Sequence, residues 1–180
     1  MLLKCISFLV VGVSQFCFSA IAAAQDNPAC ELPKDLQQQL ASKYGRAKLV
    51  NLSDLDEYDR GLFQKEHADA CPGLIKVDFY SDGKPTWALV LNRKAGSTEH
   101  TELIVAHYVG NRWRINLLGT GSPSPNAPVV WSQDPGEYHD IYGKKTIRAR
   151  DPVIVFCKYE SWAILYAWTD NRVSKIWLSD

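Results

Sequence analysis

From Leu74 onward the chain is written in runs of strand length: "LIKVDFY", "TWALVLN", "TELIVAHYV", "RWRINLL", "PVIVFCKY", "SWAILYAW" and "RVSKIWL". Turn residues separate them, and β-branched and aromatic residues fill them, so the pattern predicts an antiparallel meander of hairpins. Three of the turns are readable as tight ones: Ser81-Asp82-Gly83-Lys84, Gly110-Asn111 and Asp170-Asn171. Asp, Asn and Gly accept the positive φ that short hairpin loops demand.

Ahead of the strands the periodicity is helical. "LPKDLQQQLASKYG" spaces Leu32, Leu36, Leu40 and Tyr44 by four and stops at Gly45, the pattern of an amphipathic helix with a glycine end. A second helix is expected through "SDLDEYDRGLFQKEHADA", opened by Ser53 with Asp56 three residues on and closed by Cys71-Pro72-Gly73. Its acids, Asp54, Asp56, Glu57, Asp59, Glu66 and Asp69, read as a solvated face. "AKLVNL" between the helices suits a short strand. The expected fold class is therefore α+β, with two N-terminal helices packed on one curved antiparallel sheet.

The first residues decide where such a domain would work. Lys4, an apolar run from Cys5 to Phe18, and the small residues Ala22-Ala23-Ala24 have the layout of a secretory leader over residues 1–24. No small residue precedes Cys17, as a lipid-anchored cysteine would require, because Phe16 stands there. Residues 25–180 then form a single domain, helical over 31–71 and β-rich over 74–180. Without the leader, 19 basic residues face 20 acidic ones. A near-neutral chain offers no electrostatic case for a nucleic-acid partner, and membrane insertion after leader removal is not expected. The predicted location is periplasmic or secreted.

That location gives the cysteines meaning. Cys30, Cys71 and Cys157 lie beyond the leader, and an oxidising compartment favours one bridge among them. Cys30 and Cys71 border the helices, whereas Cys157 lies inside the apolar run "VIVFC". The expected pair is Cys30 with Cys71, leaving Cys157 as a buried small hydrophobe.

Residues 119–136, "GTGSPSPNAPVVWSQDPG", interrupt the strand pattern with Pro123, Pro125, Pro128 and Pro135 and show no periodicity. They read as a mobile loop whose far end, Val129 to Trp131, packs back on the domain.

The chemistry-bearing residues form no recognised catalytic signature. Asp78 and Asp82 in "KVDFYSDGKPTW" are candidates for a metal, since a hard cation is wrapped by alternating oxygen side chains. This hairpin resembles the Asp-Gly loops of FG-GAP and VCBS-type secreted β repeats, a resemblance that implies calcium. Tyr80 and Thr86 stand where such a loop wants further oxygens, so the stretch reads as turn chemistry instead. The order of two helices, a "CPG" and this hairpin is similar to that of small uncharacterised secreted or periplasmic bacterial proteins, a likeness that implies no activity. Of the histidines, His107 is expected on the polar face of its strand. Glu137, His139 and Asp140 in "PGEYHDIYGKK" form the densest acid-base group, the basis of an alternative reading as a hydrolase. A calcium-stabilised structural module is a further alternative.

Aromatic residues are the stronger signal. The chain has six Trp and eight Tyr. In "SWAILYAW" the two-residue period puts Trp162, Ile164, Tyr166 and Trp168 on one face and Ser161, Ala163, Leu165 and Ala167 on the other. The large face is expected to be core against the helices, or in part an exposed platform for a protein or glycan of the cell envelope. Trp162, Tyr166, Trp168 and Trp131 are the candidate binding residues, and no cofactor is expected. The function these features favour is a non-catalytic binding module, inhibitor-like or immunity-like.

Overall fold

A computed structural model of the chain describes residues 28–95 and 97–179; the expected leader over residues 1–24 lies outside them. The described chain is mostly antiparallel β-sheet with two α-helices, α1 (Lys34–Tyr44) and α2 (Glu57–His67). All seven expected strands are present as β2 (Leu74–Val77), β3 (Thr86–Ala95), β4 (Thr98–Val109), β5 (Arg112–Gly121), β9 (Val153–Lys158), β10 (Trp162–Thr169) and β11 (Arg172–Ser179). The short strand expected near residue 48 is β1 (Lys48–Leu49).

The strands do not make one curved sheet. In the first sheet β1 and β2 share one edge of β3, followed by β4 and β5; in the second the order is β11-β10-β9-β6. These two sheets face each other. Ala88, Val90, Leu103 and Val105 of the first pack against Val130, Ile154, Phe156, Ile164 and Tyr166 of the second.

Each sheet is covered on its other side as well. Leu36 and Leu40 of α1 lie on Leu74, Leu89, Leu91, Ile104 and Ala106. A hairpin of β7 (Gly136–His139) and β8 (Thr146–Ala149) puts Ile147 and Ala149 over Val155, Leu165, Ala167 and Ile176. Burial on both faces is why "ALVL", "LIVA", "VIVFC" and "AILYA" are continuous apolar runs instead of alternating ones. The molecule thus has four layers, and sheet against sheet replaces helices against one sheet.

The helices accordingly take different places. α1 lies along the outer face of the first sheet, and its polar side also serves β5: Gln39 Nε2 and Lys43 Nζ donate to the carbonyls of Trp113 and Ile115 at 2.9 and 3.1 Å. Asp35 accepts from the Trp113 indole at 2.7 Å. α2 instead sends Phe63 into the inter-sheet core. Its start also differs from expectation, since Asp56 is the cap, accepting from the Asp59 amide. The earlier residues form their own 3-10 turn, Leu52–Asp54, capped by Asn51. Asp59 is buried and not on a solvated face, and burial, aided by Asp56, holds its carboxyl above the ordinary value.

Residues 119–136 are more ordered than their composition indicates. Gly119–Gly121 finish β5 and β6 (Val129–Gln133) pairs with β9, in register from Val129 opposite Cys157 to Gln133 opposite Val153. A five-residue strand bounded by proline carries little periodic signal, and only the partner strand supplies its hydrogen bonds.

Cys30 and Cys71 are joined as a disulfide, with Cα atoms 5.1 Å apart. Cys157 is free and buried on the outer face of the second sheet, and burial pushes its thiol up to about 12. Among the described residues no helix is long and apolar enough to cross a membrane.

Candidate functional site

The hairpin between β2 and β3 is organised by its two carboxylates. Asp78 accepts from the amides of Asp82 and Gly83 at 3.2 and 2.9 Å. Asp82 accepts from the Lys84 amide at 3.1 Å through one oxygen and from His107 Nε2 at 3.0 Å through the other. Burial works to raise the Asp82 carboxyl, but the Lys84 amide and His107 outweigh it and hold it below the ordinary value. Both carboxylates are thus turned toward N–H donors of the turn and of β4, an arrangement that offers a cation few open lone pairs. Among the described residues no group of three or more His, Cys, Asp or Glu side chains is placed to hold a metal.

His107 corrects its sequence reading. It shares strand parity with Leu103 and Val105 and therefore points between the sheets, where it is 6% exposed. Its second ring nitrogen, Nδ1, lies 3.0 Å from the Thr86 hydroxyl. An imidazole protonated on Nε2 donates to Asp82 and accepts from Thr86, satisfying all three groups. The sequence Asp-His-Thr has the composition of a nucleophilic relay but the opposite exposure. Thr86 is 0% exposed while Asp82 is open to solvent, so the hydroxyl that would attack is the member a substrate cannot reach. The relay is a strut that pins the hairpin to β4.

Above this strut the inter-sheet space opens into a cleft of about 690 Å³. Its floor comes from the inner strands β4 and β10 and from the loop between β2 and β3. Tyr80 lies between His107, at 4.8 Å between ring centroids, and Trp168, at 4.9 Å in an edge-to-face contact. Tyr166 completes the floor. Burial raises both phenols, Tyr166 to about 12, while a hydrogen bond from Asn116 partly offsets the shift at Tyr80. Both hydroxyls are therefore neutral at ordinary pH and able to donate.

The rim comes from the outer strands. Arg114 sits opposite His107 on β5, and Lys175 sits opposite Tyr166 on β11. Both line the cleft, one from each sheet, and no carboxylate does.

Of the four candidate binding residues, Tyr166 and Trp168 meet in this cleft. Trp162, on the same face of β10, packs edge-on to Phe156 at 5.0 Å within the core. Trp131 lies on β6, stacked on Tyr159 at 6.3 Å and beside His67 at 5.1 Å. The large face of β10 is core, as its size suggests, but against the other sheet. Arg114 and Lys175 carry no signal in the sequence, and Tyr80 and His107 are read there only as a departure from a calcium loop and as a polar-face residue, not as parts of a binding site. A signal for His107 existed in strand parity, which puts it on one face with Leu103 and Val105, whereas the convergence of Arg114 and Lys175 depends on how two sheets face.

Glu137, His139 and Asp140 are on the covering hairpin and do not converge. Glu137 accepts from Arg148 Nε at 2.6 Å, which holds its carboxyl below the ordinary value, and His139 is mostly exposed 3.4 Å away. Asp140 points elsewhere, accepting from the Trp177 amide at 3.1 Å. Asp140 fastens the hairpin to β11; of the three only Glu137 lines a cavity, a second one of about 810 Å³ between β8 and the β10–β11 turn, where Arg148 already engages its carboxylate. Compared with known proteins, the chain matches no family model, no curated protein and no solved structure.

Proposed function

We propose that this protein is a non-catalytic binding module of the periplasm or the secreted fraction, and that the cleft between its sheets is the binding site. The observation that carries this reading is the shape of the inter-sheet space. Elsewhere it is filled by packed side chains, but beside Trp168 it opens into a cleft of drug-like volume, about 690 Å³, with an aromatic floor and separate polar groups. The floor is preorganised, because the Asp82–His107–Thr86 strut holds Tyr80 against Trp168. A rigid aromatic wall binds with little loss of side-chain entropy. Location rests on the leader-like residues 1–24 and accords with a disulfide between Cys30 and Cys71.

The reading is tested by native mass spectrometry of the purified protein after incubation with a small-molecule extract of cell envelope. A ligand adduct is expected on the wild type and not on Trp168→Ala. Adducts unaffected by that substitution place the binding site elsewhere.

A further inference from the structure

We infer that the cleft takes a small amphipathic anion, one acidic head on an apolar body, an inference that rests on the cleft being the binding site. Charge placement carries it. The floor is aromatic and uncharged, while Arg114 and Lys175 stand at the rim on facing strands of opposite sheets. Among the described residues neither cation is ion-paired, although Arg93, Lys94 and Arg148 elsewhere on the surface each have a carboxylate within 4.0 Å. With no carboxylate in the lining, the rim holds two uncompensated positive charges above an apolar well.

His107 is less available to a ligand. Both its ring nitrogens are spent on Asp82 and Thr86. A ligand body would lie against Trp168, Val109 and Leu118 and stack on the aromatic floor. Its head would then meet Arg114, whose planar fork matches a carboxylate or sulfonate, with Lys175 as a point charge from across the cleft. An uncharged ligand would leave both cations without a partner, and a cationic one would be repelled.

Two fluorescent probes with one body separate charge from shape: anilinonaphthalene sulfonate and the uncharged phenylnaphthylamine, titrated into the purified protein. The sulfonate is expected to bind about tenfold more tightly, the worth of one charge-assisted hydrogen bond. That preference should weaken as salt is raised and vanish in the Arg114→Gln, Lys175→Gln double variant, whose exposed positions leave the fold intact. Trp168→Ala should weaken both probes together. Equal affinity of the two probes for the wild type, or a preference that survives both the double variant and salt, overturns the anionic head while leaving the cleft as a binding site. Failure of both probes to bind, or binding indifferent to Trp168→Ala, overturns the cleft reading and the anion inference with it.

Discussion

At the scale of single residues, the 78–84 turn shows how much conformation one short segment can carry. Gly83 has φ +73°, a region where a β-branched side chain is strained. Gly83→Val is therefore expected to cost roughly 1–3 kcal/mol in a denaturant melt. Asp78, in sequence a candidate metal ligand, is in the fold the carboxylate that organises the turn. With two backbone amides resting on its carboxylate, Asp78→Ala should cost about 1 kcal/mol, the scale of a lost cap. Added calcium should leave the melting temperature unchanged, because those oxygens already face N–H groups; a clear upward shift with calcium would show a bound ion. His67 supports a pH prediction. Its Nε2 is buried without a hydrogen bond, and burial lowers its pKa from 6.5, with Glu66 only partly opposing. The unfolded chain takes up a proton near pH 6.5 while the folded one does not, so stability from this group is whole above that pH and declines below it, until the folded His67 protonates too. Thermal melts at about pH 7.5 and about pH 5.5 should show a smaller acid-induced drop for His67→Phe than for the wild type.

At the scale of elements, the N-terminal half is held by a bridge and by one close crossing. The disulfide closes a loop whose ends are 41 residues apart. On the chain-entropy account its removal by a Cys30→Ala, Cys71→Ala double change should cost about 4 kcal/mol, read by denaturant melts with and without reductant. Non-reducing peptide mapping should recover the same pair. Just after Cys71 the backbone of Gly73 meets that of Val50 so closely that an added Cβ would strike the Val50 carbonyl oxygen and lie 3.0 Å from its amide nitrogen. Here β1 and β2 converge on β3, with the Val90 amide donating to the Gly73 carbonyl at 2.8 Å. Backbone cannot give way as a side chain can, so Gly73→Ala is expected to destabilise by about 1–3 kcal/mol.

At the scale of the whole molecule, the packed core and the proposed binding cleft occupy different parts of the same inter-sheet space. Phe156 is fully buried at the centre of the facing sheets, and its truncation to alanine should cost about 3–5 kcal/mol. His139, on the covering hairpin, is mostly exposed. His139→Ala should stay within about 0.5 kcal/mol of wild type in the same melt. Further toward β5 and β11 the packing gives out and the cleft begins. The two outer strands are kept apart from other partners by local contacts: α1 side chains occupy the carbonyls of Trp113 and Ile115, and the Ile141 amide occupies that of Trp177. Strand edges blunted in this way resist pairing with another chain.

What the amino-acid order determined by itself was mostly local: strand runs, hairpin turns at Asp82-Gly83 and Asp170-Asn171, and the α1 stripe; the cysteine pair, 41 residues apart, was legible because Cys157 lies inside an apolar run. The local features depend on backbone preference or on neighbours a few residues away, and they are present in the folded chain, except that β2 stops at Val77 and residues 78–85 form a longer loop in place of the tight turn at 81–84. The start of α2 slipped because Ser53 and Asp56 are both competent caps in sequence; in the fold Ser53 lies inside the 3-10 turn that Asn51 caps, and Asp56 caps the helix. Strand β6 was missed because five residues flanked by prolines acquire a strand's hydrogen bonds from β9 alone. Tertiary structure decided the rest. Continuous apolar runs announce that both faces of a strand are covered, but the same run is covered equally well by a helix or by a second sheet. Which of these occurs sets whether His107 faces solvent or Tyr80, and whether Arg114 and Lys175, 61 positions apart in sequence, share a rim. Contacts across such distances arise from how whole sheets pack, and no short window of residues contains them.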